Sequence, residues 1–134
     1  TAGIYFPTNY EKEHYHFLVD AKGEIHYGVF KPEANEICKA GKYAAHTGGG
    51  DTGSIGVAIC AMLNYKSAKS VGKYPITKKQ FESTMNFCAQ LCKKYNIQIT
   101  PQTVLTHYEF GGKCHVQNSF TSLYTFSILK NDWI

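Results

Sequence analysis

The sequence contains no arginine: all 14 basic residues among its 134 are lysines. Arginine supplies the planar fork that reads base edges and grips phosphates with paired bonds. Its absence argues against a protein that reads nucleic-acid sequence. Long apolar runs are missing too. None approaches the roughly 18 residues of a membrane-spanning helix, and no secretory leader is expected from the residues ahead of the first strand-like segment. Cysteines number five, an odd count with no C-x-x-C pair, which disfavours a disulfide framework and a zinc knuckle. Cys38, Cys60, Cys88 and Cys92 read as small buried hydrophobes in a reducing compartment. The first residue is Thr1 rather than Met, which reads as a cut or processed N-terminus.

What the chain does hold is enough for one folded unit. Its length matches a single domain of roughly 100–150 residues, which buries about two-thirds of its unfolded surface without staples. Aromatic residues make up 14%, which excludes a disordered tail. Seven lysines (Lys66, Lys69, Lys73, Lys78, Lys79, Lys93, Lys94) fall between residues 66 and 94, opposed only by Glu82. They read either as a solvated face or as a weakly specific attraction to polyanions.

The order of elements points to a sheet with helices packed on it. His16–Asp20 and Glu24–Phe30 are β-rich runs joined by a short Gly-containing link, the pattern of a hairpin. Residues 31–53 read as irregular, ending in the loop His46-Thr47-Gly48-Gly49-Gly50. Ser54–Cys60 is a nearly continuous apolar run, as in a strand buried on both faces. A helix is predicted from Thr77, with a capping box to Gln80 and a staple between Ile76 and Phe81. Phe81, Met85, Cys88, Leu91, Cys92 and Tyr95 form its stripe, and Asn96 is the stop. Thr103–His107 is a further short strand.

Histidines dominate the candidate chemistry. His107 ends a strand, and His115 follows eight residues later across Gly111-Gly112; two such imidazoles can share one zinc. The alternative is that these two of the six histidines are unrelated. His16 is expected to be buried scaffold on the opposite face from Tyr15, and His14 and His26 are expected at the surface. Glu109 is either an acceptor orienting a ligand imidazole or a rim charge.

Four segments in order carry a resemblance: Tyr15-His16-Phe17-Leu18-Val19-Asp20, Ala45-His46-Thr47-Gly48, Ser54-Ile55-Gly56-Val57, and Leu105-Thr106-His107-Tyr108-Glu109 with Lys113. This succession, over residues 1 to about 115, resembles the type 2 N-acetylmuramoyl-L-alanine amidases, the zinc family that includes phage endolysins and peptidoglycan recognition proteins. The resemblance implies a single α/β domain over 1–134, a mixed central sheet flanked by helices with its first strand largely missing, and a divergent segment at 116–134. It implies a hydrolase cutting the amide between N-acetylmuramic acid and L-alanine, a zinc cofactor, and a peptidoglycan partner. Nucleic acid and membrane are not expected as partners, and the chain is expected to be a monomer.

Residue by residue, the resemblance implies His107 and His115 as metal ligands, with Cys114 a rival to His115 and Asp132 a distant candidate. Thr1-Ala2 matches the end of the motif whose histidine, two positions earlier, is the first ligand, so impaired activity of this chain is expected. Tyr15 and Lys113 match catalytic positions, and His46, Thr47 and Gly48 match the peptide groove. In this setting the lysines read as attraction to an anionic wall, and the protein is expected in the cytoplasm of its producing host until lysis. Two alternatives stay open: a non-catalytic peptidoglycan-binding module of the same fold, and a thiol hydrolase with Cys114 as nucleophile.

Overall fold

The computed structural model describes residues 3–107, 109 and 125–129, the last five by their backbone and the side chain of Ile128. The element order is α1 (Asn9–His14), β1 (Phe17–Val19), β2 (Ile25–Tyr27), a 3-10 turn (Pro32–Asn35), β3 (Ser54–Ile59), α2 (Lys78–Lys94), β4 (Val104–Thr106) and β5 (Thr125–Leu129). The strands form one mixed five-stranded sheet in the order β2-β1-β3-β5-β4. β1 runs parallel to β3, pairing Phe17 with Val57, and the other three neighbouring pairs are antiparallel. This is the expected α/β class.

Alternation along the strands divides the sheet into two faces. Phe17, Val19, Ile55, Val57 and Ile128 pack against Cys88, Leu91, Cys92 and Ile97, so α2 covers one face. Leu18, Ala58 and Cys60 gather with Tyr15 in a separate cluster on the other. β3 is buried along its whole length, as its apolar run predicts.

α2 begins and ends as its sequence signals require. Thr77 and Gln80 exchange the two bonds of a capping box. At the far end Asn96 adopts φ 54°, Ile97 N–H donates to Cys92 O and Asn96 N–H to Lys93 O, which is a Schellman closure. Its buried stripe differs from the predicted one. Phe81 is 49% exposed, and Ile76 packs on Ile59, Ala61 and Met62. Gln80 and Thr84 are buried instead, because Gln80 Nε2 donates to the carbonyls of Val19 and Cys60 and so ties the helix to β1 and β3. Cys38 is half-buried, unlike Cys60, Cys88 and Cys92.

α1 precedes the first strand-like run, in a stretch to which the sequence reading assigns no element. Thr8 and Glu11 form a second capping box there, with Glu11 buried. At the hairpin's close a Cβ on Gly28 would lie 1.9 Å from Tyr15 O, so only glycine lets the two chains cross.

Candidate active site

The candidate site is built on the sheet face opposite α2. His46 is buried and its ring lies over Gly56, where an added Cβ would sit 2.6 Å from ring carbons. Tyr15 and His16 flank that ring, with centroids 6.3 Å and 5.6 Å from it. The expected alternation between Tyr15 and His16 is therefore not observed. Tyr15 is still the C-cap of α1, and the strand begins only at Phe17.

A polar strut holds this arrangement. Gly56 N–H donates to His16 Nδ1 at 2.9 Å, which leaves the imidazole proton on Nε2, where it is donated to Asn35 Oδ1 at 2.9 Å. Burial pushes the His16 pKa down to about 4, so the ring is neutral scaffold. Asn35 is fully buried and hub-like. Its Oδ1 also accepts from Ala44 N–H, its Nδ2 donates to Ala44 O and Asp51 O, and its carbonyl accepts from Gly53 N–H. Asp51 Oδ1 in turn accepts from the backbone N–H groups of His46 and Thr47 at 2.9 and 2.8 Å.

Ser54 Oγ donates to Asp51 O and so accepts from His46 Nε2 at 3.1 Å. His46 Nδ1 is then a bare acceptor. It and Thr47 Oγ1 are the buried side-chain polar atoms without a partner among the described residues. Such atoms are uncommon in folded proteins and are what a polar ligand or an ordered water would complete. Burial holds the His46 pKa far below its ordinary value, and positive charge on His16 or His107 pushes the same way.

His107 follows β4 directly. His107 opens a helical turn rather than continuing the strand, and it lies near enough to His46 and Asp51 for its charge to act on both. Burial lowers its pKa, opposed by the Asp51 carboxylate. Burial raises the Asp51 pKa, while its backbone N–H donors and the field of His107 oppose the rise. The structure thus brings Tyr15, His46, Thr47, Asp51 and His107 to one face. Gly48 lies exposed at the loop tip. A cleft of about 450 Å³ beside the loop is lined by Glu13, His14, Val29, Phe30, Gly41, Tyr43 and Ala45. Lys113, Cys114, His115 and Asp132, like Thr1 and Ala2, lie outside the described residues.

Two acidic residues have other work. Glu109 Oε2 accepts from Thr106 N–H at 2.8 Å while Glu109 N–H donates to Thr106 Oγ1 at 3.2 Å, a capping-box exchange at the turn that carries His107. Asp20, Glu24 and His26 come within 4.8 Å of one another and could hold a cation. Asp20 already braces the hairpin, accepting from Lys22 N–H and Glu24 N–H and meeting His26 Nε2 at 2.8 Å. His26 is accordingly half-buried rather than a free surface residue. Burial pushes the Cys60 and Cys88 thiols up to about 12, so neither is a nucleophile.

Sequence reasoning missed Asn35 and Asp51, which hold the site, because neither belongs to a motif of chemically reactive residues. The class defined so far is an α/β domain with imidazoles, a phenol and a carboxylate gathered over one sheet face. Residues 3–119 match the model of the N-acetylmuramoyl-L-alanine amidase family, and the chain belongs to that family. Its activity is hydrolysis of an amide bond in peptidoglycan. Among curated proteins and among solved structures, nothing matches the chain.

Proposed function

We propose that the chain is a zinc amidase that cuts between the lactyl group of N-acetylmuramic acid and L-alanine, releasing peptide from the wall. The observation that carries this reading is the gathering of His107, Tyr15 and the His46 loop over Gly56 on one sheet face. His107 is a half-buried imidazole with a carboxylate acting on it, a donor suited to zinc. By resemblance His115, with Cys114 as rival, is its companion. A zinc held by His107 and that companion would polarise the scissile carbonyl and lower the pKa of a bound water toward ~7. Tyr15 orients that water or shares in proton transfer. By the same resemblance Lys113 would supply a point charge to the developing oxyanion. His46, Thr47 and Gly48 line the peptide groove, where the bare His46 Nδ1 accepts from a substrate N–H.

A catalytic zinc takes three protein ligands, and by the same resemblance the remaining one is a histidine two positions before Thr1, so a chain extended to include it is expected to bind zinc tightly. The test is incubation of purified walls with the extended chain, following new L-alanine amino termini and metal content together. Amino termini appear, reducing sugar ends do not, a chelator stops the release, and His107→Ala loses the zinc. Wall binding without release would instead favour a non-catalytic peptidoglycan module. Release that survives chelation but not Cys114→Ser would favour a thiol hydrolase. The reading extends to a single monomeric domain, held in the producing cell's cytoplasm until lysis.

A further inference from the structure

Residues 52–81 contain no aspartate or glutamate but five lysines, Lys66, Lys69, Lys73, Lys78 and Lys79, all exposed. Lys78 meets Glu82 at 3.8 Å with both side chains largely in solvent, and among the described residues the other four make no ion pair. Elsewhere charge is balanced: residues 1–51 carry seven acids against five lysines.

The segment bearing these lysines is braced. Met62 N–H donates to Tyr74 O at 2.6 Å, Lys66 N–H to Ser70 O at 2.9 Å, and Ser67 bridges Ser70. Beneath it Ile59, Ala61 and Met62 pack with Tyr5, Tyr65, Val71 and Ile76. Tyr5 Oη donates to Pro75 O at 2.7 Å, and Thr77 Oγ1 to Ala21 O at 2.9 Å. A pre-ordered backbone spares a ligand the cost of ordering it.

We propose that residues 62–79 form a docking surface for a linear phosphodiester polymer attached to the bacterial wall. Lysine presents single point charges rather than the bidentate fork of arginine. Five of them without an intervening acid suit a flexible chain of regularly spaced phosphates better than a shaped small molecule. Choosing a wall polymer rests on the amidase reading; the surface itself lies outside the residues assigned to that reaction. It would hold the enzyme near its substrate by charge alone, with exchange along the polymer.

The test compares two triple variants of equal charge change: Lys66→Glu/Lys69→Glu/Lys73→Glu, and the control Lys31→Glu/Lys39→Glu/Lys42→Glu on the balanced half. Binding is measured to soluble poly(glycerol phosphate), to teichoic-acid-bearing walls, and to the same walls stripped with hydrofluoric acid. The first triple is expected to bind polymer and intact walls roughly tenfold more weakly, the control less than about threefold, with wild-type binding falling steeply as salt rises. Stripping should abolish the difference between variants. Equal loss in both triples, undiminished binding to stripped walls, or tighter binding to phosphatidylglycerol vesicles or single-stranded DNA would overturn the proposal. A Lys→Gln version of the first triple repeats the comparison if charge reversal disturbs folding. Soluble polymer contains no scissile amide, so failure here is distinct from failure of the amidase reading.

Discussion

Gly56 is the floor on which the His46 ring rests, and its missing side chain is what leaves room for that ring. Gly56→Ala would place a carbon 2.6 Å from Cγ and Cδ2 of His46, so the ring or the strand must move. The expected cost is about 1–3 kcal/mol, typical of overpacking. It is read as a lower denaturation midpoint together with a changed His46 ring signal by NMR. The glycine was legible in the sequence as part of a motif, but the reason for it was not, because that lies in a residue ten positions away. His16 gives a second residue-scale prediction. Burial pushes its pKa down to about 4 in the folded chain, from an ordinary value of 6.5. Between those values the unfolded chain takes up a proton that the folded chain refuses. Stability is therefore complete above about pH 6.5 and declines toward pH 4, by at most about 1.4 kcal/mol per pH unit. Urea unfolding at pH 7 and pH 5 measures the decline, and His16→Gln should flatten it while lowering stability at both.

At the scale of elements, three segments share one local grammar. Thr8–Glu11, Thr77–Gln80 and Thr106–Glu109 each place a threonine three residues before a long polar side chain, and each makes the reciprocal bonds of a capping box. Only the middle one was read from the sequence, because a long apolar stripe follows it. α1 is six residues long and α2 seventeen, and a helix of six residues shows no period worth reading. Glu109, taken from the sequence as a possible partner of a ligand histidine, is occupied by the same grammar. Thr77→Ala should lower stability by about 1 kcal/mol or more, since Thr77 Oγ1 also donates to Ala21 O. Asn96→Val should cost about 1–2 kcal/mol, because a β-branched residue resists the left-handed backbone that closes α2, whereas Asn96→Gly should be close to neutral. Thermal or urea midpoints of the three variants rank these effects.

For the whole molecule, the class of fold was legible because strand-like runs and one amphipathic stripe survive in the order of residues. Cys88, Leu91 and Cys92 of the predicted stripe are buried, but its first turns are off by one position, since Gln80 and Thr84 look like surface residues until the carbonyls they meet are known. The candidate-site histidines His46 and His107 are 61 residues apart in the chain. Motif order brought them into one expectation, and the sheet brings them to one face. Sequence could not show that the His46 loop hangs on Asn35.

That dependence has a consequence for how the molecule opens. Asn35 fastens His16, Ala44 and Asp51 through its buried side-chain amide and Gly53 through its backbone carbonyl, so the two ends of the long segment between β2 and β3 are held by one residue and release together. Its backbone protons at Ala44, His46 and Gly53 should exchange with deuterium as slowly as those of β3 itself, and together. Asn35→Ala should speed all three, while leaving the amides of α2 nearly as slow as before.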